Sequence, residues 1–88
     1  MTLLREALLA ELPRWGVKRV GDLRDDTSLI VSGLVDSVGL FEMLLWIEQQ
    51  TGATIDPAAV DWRREWDSMG AILDYIERRR QEPGERSA

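Results

Sequence analysis

Two serines in this chain stand directly behind an aspartate, in DSVG at Asp36–Gly39 and in DSMG at Asp67–Gly70. A serine that opens a helix behind an acidic cap is suited to carrying a phosphodiester. The first N–H groups of a helix lack intrahelical acceptors, and the positive end of the helix dipole favours an anion. Ser37 is the better placed of the two: Gly33-Leu34-Val35 leads into it and Gly39 trims the first turn, so its hydroxyl is expected to be accessible. Ser68 reads instead as a plain helix cap, with Trp62 and Trp66 before it as packing residues. Little other chemistry is on offer. There is no Cys and no His, which removes a disulfide framework, the usual zinc ligands and the usual general base. With no glycine-rich phosphate loop either, no complete catalytic constellation is found and the chain is not expected to be an enzyme. Asp25 and Asp26 read as residues that cap or turn a loop, because a calcium role lacks convergent ligands.

The elements that must position Ser37 follow from apolar spacing and punctuation. Leu4, Leu8 and Leu12, with Ala7 and Leu9 beside them, predict a first helix from Thr2, which is placed to cap it, to Leu12; Pro13 ends it. Gly16, Gly21, Gly33 and the Asp25–Ser28 cluster predict a long loop from Arg14 to Asp36, anchored by Leu23, Leu29, Ile30, Leu34 and Val35. The second helix is expected from Ser37 to Thr51, with Asp36 as N-cap and Gly52 just past its end. Its core face is read as Leu40, Met43, Leu44 and Ile47 with Phe41 at the edge, which leaves Val38, Leu45 and Trp46 outside the core. Asp56-Pro57 starts a short third helix through Val60. A last helix follows Asp67 or Ser68, with Met69, Ile72, Leu73 and Ile76 as its buried stripe. Arg78, Arg79 and Arg80 complement its C-terminal end, a basic docking patch being the alternative. The reading is all-α: a four-helix bundle with a long loop between helices 1 and 2.

Eighty-eight residues, 44% hydrophobic and 31% charged, supply one core, so a single domain is expected over residues 1–80, followed by a disordered polar tail at 81–88. Eleven basic against sixteen acidic residues give a net charge of −5, which argues against a nucleic-acid partner. No apolar run approaches the roughly 20 residues that cross a bilayer, and the N-terminus lacks the order of a signal peptide. A cytoplasmic monomer without membrane contact is the expectation.

The string GLVDSVGLFEMLLWIEQQTGATID at Gly33–Asp56 and the closing AILDYIERR at Ala71–Arg79 resemble the acyl carrier protein superfamily, as does the order of loop, DS-helix, short helix and last helix. The resemblance implies that Ser37 receives 4'-phosphopantetheine from coenzyme A through a separate phosphopantetheinyl transferase. The arm's thiol would then hold acyl or aminoacyl groups as thioesters, which explains how a chain without Cys or His could handle them. It implies as partners an adenylating ligase or acyltransferase for loading and a downstream acyl-accepting enzyme. It also makes the second helix a docking surface, with Val38, Glu42, Leu45 and Ile55 as contacts; packing under the long loop is the alternative for the apolar ones.

Two departures refine this. Only Glu42 and Glu48 are acidic between Ser37 and Thr51, so electrostatic steering toward a basic partner should be weaker than in fatty-acid-synthase carriers. GLVDS and VDWRREWDS look more like D-alanyl, aminoacyl or specialised-metabolite carriers, and Asp36 stands where synthetase-embedded peptidyl carriers usually have His. A rival reading is an unmodified helical adaptor that binds a partner through the exposed apolar face of the second helix.

Overall fold

A computed structural model describes residues 2–81, and no strand occurs among them. Four α-helices are present: α1 Thr2–Glu11, α2 Ser37–Thr51, α3 Trp62–Glu65 and α4 Met69–Gln81. Helix α4 therefore includes Gln81; the rest of the expected disordered tail lies outside the described residues.

The chain does not leave helical geometry at Pro13. Leu12–Trp15 continues α1 as a 3-10 turn with proline in its first turn, where the missing N–H costs nothing. This turn drives Trp15 and, just beyond it, Val17 into the core. A second 3-10 turn, Val20–Asp22, interrupts the expected loop. Of the loop anchors, Leu29 and Val35 are buried and Leu23 and Ile30 half-buried, whereas Leu34 is exposed.

Helix α2 has the bounds its punctuation predicts, with Asp36 capping the Gly39 amide at 2.7 Å and a left-handed Gly52 closing the last turn. Its rotation differs from the expected one. The buried stripe is Gly39, Met43, Trp46 and Ile47, spaced i, i+4, i+7 and i+8. Trp46 therefore belongs to the core, where it meets Trp15 edge to face with ring centroids 5.7 Å apart. Such a pair adds about 0.5–1.5 kcal/mol beyond the burial of its area. Leu40 and Leu44 are only half-buried and Phe41 is exposed. The cause is Trp15, which packs on the side of α2 that a wheel counting only α2's own apolar residues turns toward water.

The repeated DSxG strings have a packing explanation. A Cβ on Gly39 would collide with the Trp15 carbonyl, and one on Gly70 would crowd the Asp25 carbonyl, which accepts a hydrogen bond from the Gly70 amide at 2.9 Å. Each glycine lets a loop carbonyl lie against the first turn of a helix.

The short third helix is displaced from its expected place. Asp56-Pro57 opens only a 3-10 turn, Pro57–Ala59, with Asp56 accepting from the Ala58 amide at 3.0 Å. The single α-helical turn comes later, at α3, delivering Trp66 to the core edge-to-face with Tyr75 of α4. In α4 the buried residues are Met69, Ile72, Tyr75 and Ile76; Leu73 is half-buried.

The arginines at the end of α4 act singly. Arg78 bonds Asp74 at 3.1 Å, whereas Arg80 reaches across to α2, donating to the Gln50 carbonyl at 2.9 Å and to Gln50 Oε1 at 3.0 Å. Arg80 thus satisfies a terminal carbonyl of α2 rather than of its own helix.

Gly39→Ala should lower stability by about 1–3 kcal/mol through the clash with Trp15, against a propensity gain of about 1 kcal/mol. Gly21→Ala, where the added methyl meets nothing within 4 Å, should leave the urea midpoint unchanged and serves as the control.

Candidate functional site

The two Asp-Ser pairs divide their labour in opposite ways. At Asp36-Ser37 the aspartate is the cap, its Oδ1 taking the Gly39 amide, and the exposed Ser37 hydroxyl makes no hydrogen bond among the described residues. At Asp67-Ser68 the half-buried serine is the cap, its Oγ accepting from the Ala71 amide at 3.1 Å. A hydroxyl committed to a cap is a poor target for modification; a free one on the surface is a good one. The geometry separates Ser37 from Ser68 more sharply than the sequence does.

Asp67, released from capping, fastens the segment that leads to Ser37. Its carboxylate accepts from Ser28 Oγ at 2.7 Å and from the amides of Ile30 at 2.7 Å and Val31 at 2.8 Å, while its carbonyl accepts from the Leu29 amide. Partial burial pushes the carboxyl's pKa up, but the hydrogen bonds from Val31, Ser28 and Ile30 together outweigh it and hold the pKa below the ordinary carboxylate value. Val35 is tied in turn through its amide to the Leu29 carbonyl at 2.8 Å, so the approach to Asp36 is fixed on both sides. Neither loop aspartate that the sequence offers as a turn residue does this. Asp25 pairs instead with Arg5 of α1, its Oδ1 2.7 Å from a guanidinium nitrogen.

On α2 the apolar residues left outside the core are Val38, Phe41 and Leu45, at i, i+3 and i+7 and 70%, 58% and 41% exposed. They form a stripe beside Ser37, whereas the exposed Leu34 sits in a groove with Val17 and Leu23. Val38 and Leu45 stand where expected, Phe41 joins them from its expected edge of the core, and Glu42 is exposed next to the stripe. Ile55 does not belong to it: it is only 5% exposed, and its amide donates to Glu48 Oε2 at 2.7 Å. That bond turns the chain after Gly52 back under α2 and carries the Ile55 side chain into the core.

The side of α2 between the stripe and the core holds Ser37, Leu40 and Leu44, again at i, i+3 and i+7. With Phe41, Pro57, Trp62 and Trp66 they line an apolar cleft of about 200 Å³ that opens beside the serine. The sequence marks Trp62 and Trp66 only as packing residues. Trp66 does pack, yet both also wall this cleft. Among the described residues no cluster of acidic side chains could hold a metal ion, and no helix is long and apolar enough to cross a membrane.

Comparison of the chain with family models, with curated proteins and with solved structures returned no match.

Since the folded-state pKa of Asp67 lies below its unfolded value, the stability it adds is complete at neutral pH and is lost as pH falls from about 4 through that lowered value. Asp67→Ala should cost about 1–3 kcal/mol at pH 7, because three donors lose their acceptor. It should also flatten the dependence of stability on pH below 4. Urea unfolding at pH 7 and pH 3 measures both.

Proposed function

We propose that the protein is a carrier whose Ser37 takes a phosphopantetheine arm and holds acyl groups as thioesters for partner enzymes. The observation that carries this reading is the free Ser37 hydroxyl at the first residue of a fifteen-residue helix whose cap is supplied by its neighbour. The likeness of Gly33–Asp56 and Ala71–Arg79 to acyl carrier proteins supports the same role, as do the all-helical fold and the absence of Cys and His. In modification, Ser37 Oγ attacks the phosphorus of coenzyme A that bears the pantetheine. The bond to 3',5'-ADP breaks, the hydroxyl proton passes to a base of the transferase, and a phosphodiester remains on the serine. The site can receive such a group: the hydroxyl is exposed, and the exposed Val38 that follows leaves room for an incoming enzyme.

Val38, Phe41 and Leu45 give that enzyme, and later ones, an apolar contact within one or two helical turns of the modified oxygen. Glu42 adds a single negative charge at its border. The unmodified adaptor would use the same stripe, and the mass of the protein separates the two.

Incubated with coenzyme A and a broad-specificity phosphopantetheinyl transferase, the wild type and Ser68→Ala should each gain one phosphopantetheine by intact mass, and Ser37→Ala none. A gain on Ser37→Ala, or no gain on the wild type, overturns the assignment. Leu45→Glu should slow modification about tenfold, as removal of a central apolar interface contact does, with the urea midpoint unchanged.

A further inference from the structure

The cleft beside Ser37 carries information about cargo. Resting on the reading of Ser37 as the attachment point, we propose that this cleft holds the carried group and selects a compact, uncharged acyl group, such as one aromatic ring or a short branched chain.

Size is the first argument. An apolar cavity of about 150 Å³ accommodates benzene, and pockets for drug-sized ligands begin at about 300 Å³. At about 200 Å³ the cleft takes a ring with its carbonyl, and a long linear chain overruns it. The lining is the second. Phe41, Trp62 and Trp66 offer ring faces and edges, and no ionisable side chain lines the cleft. The ammonium of an aminoacyl group, or a free carboxylate, would lose its water there without gaining a partner.

The four tryptophans provide the test, because Trp15 and Trp46 pair on the other side of α2 and report on the core alone. Benzoyl, isobutyryl, octanoyl and glycyl groups are loaded onto the protein from their coenzyme A thioesters by the transferase. In parallel, the same four are titrated into the unmodified protein as N-acetylcysteamine thioesters, and indole N–H signals are followed by NMR. Benzoyl and isobutyryl on the arm should shift the Trp62 and Trp66 signals and leave Trp15 and Trp46 in place; octanoyl and glycyl should shift them far less. Equal shifts from all four, or none from benzoyl, overturn the proposal. Shifts from the free thioesters but none from tethered ones also overturn it, as the mark of a small-molecule site unconnected with Ser37. If intact mass shows no loading at all, the carrier reading fails separately, and the free thioesters still judge the selectivity of the cleft.

Discussion

Capping decides which hydroxyl in this protein is available. A helix begins with amides in need of acceptors, and in an Asp-Ser pair either side chain can supply one. At the start of α2 the carboxylate of Asp36 does so, and Ser37 becomes the first residue of the helix with nothing asked of its side chain. At the start of α4 the register moves on by one residue: Ser68 caps, and Asp67 is free to bind the loop. The same two residue types thus make an exposed hydroxyl in one place and a structural clasp in the other. The clasp in turn steadies the segment that ends at Ser37, since Asp67 holds residues 28–31 and Leu29 holds Val35.

The second constraint is the close approach of loop backbone to the two helices. Trp15 can lie against α2 only because residue 39 has no side chain, and the approach of Asp25 to α4 depends likewise on Gly70. Once Trp15 is seated, Trp46 must turn toward it, and the helix rotates as a unit. This rotation brings Val38, Phe41 and Leu45 to the surface and leaves Leu40 and Leu44 half-covered above the cleft. The apolar surface around Ser37 is therefore a consequence of packing on the opposite side of α2.

The legible part of this arrangement was the part written in local punctuation. Asp36 and Gly52 bracket α2 in the sequence as they do in the structure, and Pro57 and Ser68 mark real turns and caps. The rotation of α2 was not legible, because Gly39 is central to the buried stripe and contributes no hydrophobicity to a helical wheel. The resemblance puts Ile55 among the docking contacts, whereas its amide bonds Glu48 seven residues earlier and its side chain is buried. The clasp at Asp67 joins residues 36 to 39 positions apart, beyond the reach of any periodicity, and the cleft draws on a stretch, Pro57 to Trp66, that has none.

The bond between Glu48 and the Ile55 amide has a kinetic side. It turns one of the two carboxylates of α2 inward without removing its charge, and leaves Glu42 as the exposed acid of that helix. Any long-range attraction of a basic protein to this molecule then comes from the net charge of −5 carried by the whole chain rather than from an acidic α2, and salt screens it. A protein that docked on Val38, Phe41 and Leu45 would be told from its competitors by how long each complex survives, which the fit of its apolar residues sets.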